Sequence, residues 1–192
     1  MKRIFKNVRA LSFDLDDTLY DNKPVIKNAF LALYNYLLIQ CPNIALNYDF
    51  LNFMESAKSI KSDPLIILDI DSLRRLHIKQ ILSDSGYQDK SDELTEKAFN
   101  VFWQARQQVT LYPEVHQILQ DLSAKLPLVT ISNGNACIKS IGIDQYFHYS
   151  INAADTGKPK PDKSMFLYAC EKLQIEAEQL VHIGDSVNYD IN

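Results

Sequence analysis

A largely apolar run, Val8-Arg9-Ala10-Leu11-Ser12-Phe13, breaks off into Asp14-Leu15-Asp16-Asp17-Thr18, which puts three carboxylates and a hydroxyl within five residues. A short apolar run bounded by turn residues reads as a buried strand. In open α/β sheets, ligands lie just beyond the carboxyl ends of the strands. Strand periodicity sets Asp14 and Asp16 on one side and turns Leu15 away. Two carboxylates that close repel each other unless a cation binds them or one keeps a proton. Such a pair suits metal-assisted chemistry on an electrophile. Taken alone, the same residues equally describe a solvated Asp-rich turn.

Three further polar clusters follow: Ser132-Asn133-Gly134, Lys158-Pro159-Lys160-Pro161-Asp162, and Gly184-Asp185-Ser186 continuing to Asp190. Each has an ordinary structural reading, since Ser-Asn-Gly is a common turn and Lys-Pro a common loop. All four fall at the expected ends of strands or in the loops beyond them. Convergence on one sheet edge is hard to obtain by chance. Carboxylates, a hydroxyl–amide pair and a lysine are the parts that hold a divalent cation and a phosphoryl group together.

The elements that must position these groups are readable from periodicity. Strands are expected at about 8–14, 127–132, 149–153 and 180–184, with helices near 114–124, 136–141 and 163–173 between them. Strands alternating with helices imply an α/β fold with a doubly wound parallel sheet. Between the first strand and the rest, the pattern turns helical, so residues 1–21 and 107–192 form the expected core and 22–106 an all-helical insert. In the insert, the segment 29–38 is apolar almost all round and should be well buried. Asp63-Pro64 reads as a helix start, an N-cap acceptor with Pro at the first helical position. That helix carries Leu65, Leu68, Leu73, Leu76, Ile81 and Leu82 and ends at Gly86. Ser91-Asp92-Glu93 opens another, with Leu94, Ala98, Val101, Phe102 and Trp103 on its buried face.

Composition narrows the function. The 192-residue chain is 46% hydrophobic and 23% charged, with few Gly and Pro, which excludes disordered and collagen-like states. A net charge of −4 with interspersed signs gives no basic stripe and argues against nucleic acid as a partner. Cys41, Cys137 and Cys170 lack metal-site or disulfide spacing and read as packed residues. No apolar segment reaches the length of a membrane span, and the basic start lacks the apolar run of a signal peptide. A cytoplasmic protein is expected. His77, His116 and His148 form no metal spacing, and His182, inside an apolar strand, reads as a packed histidine.

With its four motifs in this order, the chain resembles the haloacid dehalogenase (HAD) superfamily of phosphatases. The insert after the first motif is similar to that superfamily's helical cap. Phe-Asp-Leu-Asp-Asp-Thr-Leu-Tyr-Asp-Asn (13–22), Asn133-Gly134-Asn135-Ala136 and the stretch from Lys160-Pro161 to Met165 resemble the bacterial flavin-mononucleotide phosphatase subgroup most closely. The resemblance implies Asp14 as a nucleophile forming an aspartyl-phosphate, and Asp16 as general acid and then base. It implies Mg²⁺ held by the Asp14 side chain, the Asp16 backbone carbonyl and Asp185, with Asp190 supporting from behind. Ser132, with the amides of Asn133 and Gly134 at a helix start, would grip the phosphoryl oxygens. Thr18 would fix its loop and assist phosphate binding. Lys160 and Lys158 compete as the balancing cation, and the spacing Lys-Pro-x-x-x-Met favours Lys160. The implied partner is a small phosphate ester.

Members of the family continue through at least one more helix–strand unit, so a cut scaffold is expected beneath Asp185 and Asp190, and strand 180–184 should be an apolar edge open to self-association. Three rivals remain at this point. A dehalogenase does not need the leaving-group acid that Asp16 supplies. A phosphomutase needs cap residues that retain a bisphosphate. A catalytically impaired chain would keep only a metal- or partner-binding role.

Overall fold

A computed structural model describes residues 7–60 and 70–191. The chain divides into two compact units, one of residues 1–22 and 109–192 and the other of residues 23–108. The expected helix start at Asp63-Pro64, with Leu65 and Leu68, lies outside the described residues.

The first unit is built on four strands: β1 (Ala10–Phe13), β2 (Leu128–Ser132), β3 (Tyr149–Asn152) and β4 (Leu180–Ile183), all parallel, in the order β3-β2-β1-β4. This is the α/β parallel sheet that the alternation demanded. β1 and β2 are buried at every residue, as strands flanked by neighbours on both sides must be. β2 owes its extended backbone to Val129, Thr130 and Ile131, whose branched side chains fit a pleated surface. Among the described residues β4 pairs with β1 alone, and Ile183 is exposed. The first motif continues the ladder, because the Asp14 N–H donates to the Ile183 carbonyl at 2.9 Å.

Register decides which residues share a face. Ser12 stands opposite His182 and Val129, and Ile131 opposite Ile151. That face is covered by a helix described below, whose Met165 and Ala169 pack with Val129, Ile131 and Ile151. The other face carries Phe13, edge-on to Phe147, and Thr130, whose hydroxyl donates to Ser150 on the neighbouring strand.

Helices are numbered along the chain. In the second unit, α1 (Asn22–Gln40) leads to α2 (Ile44–Asn47), α3 (Phe50–Ser56), α4 (Ile70–Asp84) and α5 (Ser91–Arg106). The insert is thus all-helical in its described residues. α1 is not buried all round: Val25, Ala29, Phe30, Leu33, Tyr34 and Leu37 face the core, while Leu31 and Ile39 are exposed. A helix in a unit this small has only one face to bury, so an apolar run longer than that face leaves its surplus in solvent. The buried face of α5 is also rotated from expectation, since Thr95, Ala98, Phe99, Phe102 and Arg106 are buried and Leu94, Val101 and Trp103 only partly so. α4 contributes His77, Ile78, Ile81 and Leu82 to the same core. Arg74 stacks over Phe30 and Phe102, at 4.1 and 4.5 Å from the ring centroids, so its cation sits on aromatic faces.

In the first unit α6 (Val115–Ser123) precedes β2, α7 (Ile138–Ile141) and α8 (Ala153–Thr156) flank β3, and α9 (Ser164–Leu173) is the helix that covers the Ser12 face. A single π-helical turn, Val187–Ile191, follows β4. Gly86 and Gly142 both hold φ at +83°, the left-handed conformation that stops a helix without a Cβ clash, as expected of Gly86.

Candidate active site

Beyond the carboxyl ends of β1, β2 and β4 lies an open cleft of about 380 Å³. Asp14, Asp16, Asp17, Ser132, Asn133, Gly134, Lys160, Asp185, Ser186, Tyr189 and Asp190 line it. Four chain segments separated by up to about 170 residues therefore meet at one sheet edge, as the motif order implied.

The first motif turns sharply after β1. The N–H groups of Thr18 and Leu19 both donate to the Leu15 carbonyl, and Asp17 adopts a φ of +59°. Leu15 is buried while Asp14 and Asp16 both reach the cleft, so the period-two reading of their side chains holds past the end of the strand. The Asp16 carboxylate accepts a hydrogen bond from the buried Tyr20 hydroxyl. Asp17 caps the start of α1 by accepting from the Asn22 N–H at 2.8 Å. Thr18 does not line the cleft: its hydroxyl faces Asp185 across 3.4 Å, too long for a strong hydrogen bond.

Lys160 is the centre of the charge arrangement. Its side chain is 2% exposed, and its ammonium lies 2.9 Å from Asp14 Oδ1 and 2.6 Å from Asp190 Oδ1. Lys158 is exposed and stands 3.7 Å from Asp162, outside the cleft. The geometry therefore selects Lys160 as the lysine that faces Asp14. Burial pushes the Asp14 carboxyl above its usual range, against the pull of the Lys160 ammonium. Burial also pushes Asp190 up, but bonds from Lys160, the Ser186 N–H and His182 outweigh it and hold that carboxyl below its usual range.

The loop after β2 differs from expectation. Asn133 and Gly134 do not sit at a helix start, because α7 begins only at Ile138. Three intervening residues in irregular backbone remove the dipole contribution that a helix terminus would have given there. Ser132 Oγ accepts from the Gly134 N–H at 3.1 Å. The Asn133 side chain is committed to Lys160: its Oδ1 accepts from the Lys160 N–H at 2.7 Å, and its Nδ2 donates to the Lys160 carbonyl at 3.0 Å. Asn133 thus holds the lysine loop in place, while its backbone N–H remains the group on offer to a ligand.

Asp190 folds back over Gly184, where a Cβ would overlap its carboxylate. Glycine is required at that position for the approach. Asp190 Oδ1 receives Lys160 and His182 Nε2 (3.1 Å), and Oδ2 receives the Ser186 N–H (3.0 Å). Oxygens of Asp14, Asp185 and Asp190 lie within 4.8 Å of one another. Three carboxylates against a single ammonium, all with hard oxygen donors, fit a divalent cation such as Mg²⁺. With both Asp190 oxygens engaged, Asp14 and Asp185 are the carboxylates suited to hold it.

Sequence reasoning treated His182 as packing only and gave Ser12 no role, yet His182 touches Asp190 and its other ring nitrogen lies 2.8 Å from Ser12 Oγ. The available signal was their phase: each is a polar residue inside an apolar strand, two or three positions before a motif carboxylate. Tyr189 also lines the cleft and was not singled out.

Comparison with known proteins agrees with this geometry. The family model of the haloacid dehalogenase-like hydrolases matches residues 8–192. The chain is 30% identical over 187 residues to the 5-amino-6-(5-phospho-D-ribitylamino)uracil phosphatase YigB of Escherichia coli K12, covering 96% of this chain and 78% of that protein. It is 26% identical over 194 residues to a phosphoglycolate phosphatase of Chromobacterium violaceum, covering 95% and 79%. Among solved structures, a 2-haloacid dehalogenase from Pseudomonas syringae pv. tomato superposes with a TM-score of 0.87 at 35% identity, over 96% of this chain and 80% of that one. The alignment with the family runs through all four motifs that line the cleft, and the parallel sheet with an inserted helical unit is the fold it requires. The chain belongs to the haloacid dehalogenase-like hydrolases.

Proposed function

We propose that the protein is a Mg²⁺-dependent phosphomonoesterase that acts on a small phosphorylated metabolite through an aspartyl-phosphate. The observation that carries this reading is the buried Lys160 ammonium set between Asp14 and Asp190 at the mouth of the sheet. In the first half-reaction, an Asp14 oxygen attacks phosphorus as the ester P–O bond breaks. Asp16 gives its proton to the leaving alkoxide. In the second, Asp16 takes a proton from water as the water oxygen attacks phosphorus, and the bond to Asp14 breaks to release phosphate. Lys160 and the backbone N–H of Asn133, with the Ser132 hydroxyl, stabilise the phosphoryl oxygens. Thr18 serves the loop, through its N–H to the Leu15 carbonyl, rather than phosphate. Asp14, Asp185 and the Asp16 carbonyl would hold Mg²⁺, whose charge offsets that of the substrate oxygens.

A dehalogenase is the second reading, since a dehalogenase structure is 35% identical. The Asp16 carboxylate in the cleft favours the phosphatase, because an alkoxide needs a proton and a halide does not. The test measures phosphate release from p-nitrophenyl phosphate with and without Mg²⁺, beside halide release from a 2-haloacid. Mg²⁺-dependent phosphate release that Asp14→Asn abolishes is expected. Halide release alone, or unchanged phosphate release in Asp14→Asn, would overturn the assignment.

For the substrate we propose an ester carrying a flat ring on a ribityl phosphate, flavin mononucleotide first. The name of the E. coli relative describes a ribityl phosphate bearing a uracil ring. Flavin mononucleotide shares that chain and also ends in a flat heterocycle. The half-exposed Tyr189 in the cleft offers an aromatic face to such a group.

A further inference from the structure

We infer that His182 is a positioning residue: with Ser12 behind it, it fixes the Asp190 carboxylate and, through that carboxylate, the Lys160 ammonium. The inference rests on the phosphatase reading for its kinetic consequence, but its geometry is independent of it.

Five side chains form one continuous line. Ser12 Oγ lies 2.8 Å from His182 Nδ1, and His182 Nε2 lies 3.1 Å from Asp190 Oδ1. The same Asp190 oxygen takes Lys160 at 2.6 Å, and Lys160 reaches Asp14 at 2.9 Å. An ionised carboxylate only accepts hydrogen bonds, so the proton facing Asp190 is on His182 Nε2. Nδ1 of the neutral ring is then an acceptor, and the Ser12 hydroxyl donates to it. Ser12 is wholly buried, and a buried hydroxyl needs a partner. The register that sets Ser12 opposite His182 supplies it. Phe166 packs at right angles to the ring at 5.0 Å between centroids, so the imidazole is held by an aromatic contact as well as through its two nitrogens. The result fixes which oxygen of Asp190 faces the lysine. A second hydrogen bond to that oxygen leaves the carboxylate no freedom to rotate away from Lys160. Because lysine is a flexible point charge, its location at Asp14 is only as fixed as its partner.

The test uses the full chain with His182→Leu, His182→Gln and Ser12→Ala. Gln keeps an N–H donor near the Nε2 position, whereas Leu keeps bulk and loses the donor. Long-range ¹H–¹⁵N correlation on the wild type should find the ring proton on Nε2, and Ser12→Ala should leave it there, because Asp190 sets the tautomer. His182→Leu should lower kcat about 10–100-fold, the usual range for residues supporting a site from behind, with KM little changed. His182→Gln should recover most of the loss. The Lys160 side-chain NMR signals should move in His182→Leu and return toward wild type in His182→Gln, with thermal unfolding confirming folded variants. A ring proton on Nδ1, an unmoved Lys160 signal in His182→Leu, or equal kcat losses for Leu and Gln would each overturn the inference. Absence of any phosphatase activity in the wild type would instead sink the proposed function, and the ring tautomer and Lys160 signals would still decide the role of His182.

Discussion

At the scale of single residues, the chemistry is concentrated in one cation. Lys160 is buried between two carboxylates, whereas Lys158, two positions away, is exposed beside Asp162. Lys160→Ala should therefore cost at least about 100-fold in kcat/KM, the usual effect of losing one group that stabilises transition-state charge. Lys158→Ala should stay within a few-fold of wild type, and steady-state kinetics on both variants checks the contrast. The carboxylates and this lysine were legible in the sequence because a polar cluster at the end of an apolar run has few structural uses. Asn133 was legible as a site residue but not in its actual use. Its side chain clamps the Lys160 backbone, a contact across 27 positions that no local pattern encodes. Ser12 and His182 were less legible still, since their pairing depends on strand register between residues 170 apart.

At the scale of elements, strands and glycine stops were read to within a residue or two because both are local. The faces of the helices were not, because which side of α1 or α5 is buried depends on partners that arrive from elsewhere. His77 on α4 shows what such a face can hide. Burial and the nearby Arg74 cation lower its pKa to about 3, and Nε2 lies 2.9 Å from Ser56 Oγ. Unfolding returns the ring to an ordinary pKa of about 6.5. Between those values the unfolded chain binds a proton that the folded one refuses, so stability falls as pH drops through that window. The slope approaches about 1.4 kcal/mol per pH unit for one proton. Denaturant midpoints should fall from pH 6.5 toward pH 4 more steeply in the wild type than in His77→Gln. Equal slopes would show that another group titrates there.

At the scale of the molecule, the fold accounts for the class of reaction, and the substrate is carried by less of the chain. If the ribityl-phosphate reading is right, kcat/KM for flavin mononucleotide should exceed that for simple sugar phosphates by at least about tenfold, about 1.4 kcal/mol of extra transition-state binding. Comparable values would remove the substrate claim and leave the phosphatase. The strand order has a consequence for dynamics. Asp14 follows β1, which is paired on both sides, whereas Asp185 and Asp190 follow β4, which among the described residues is paired on one side and half-exposed. A strand held by a single ladder opens locally at lower cost than its neighbours. A cation shared by Asp14 and Asp185 would then tie the loose strand to the firm one, and its affinity would include the free energy of closing β4. Amide hydrogen exchange should accordingly be faster in β4 than in β1 or β2, and added Mg²⁺ should slow it in β4 far more than in β2. The ion would be a latch on the sheet as well as a reagent in the cleft.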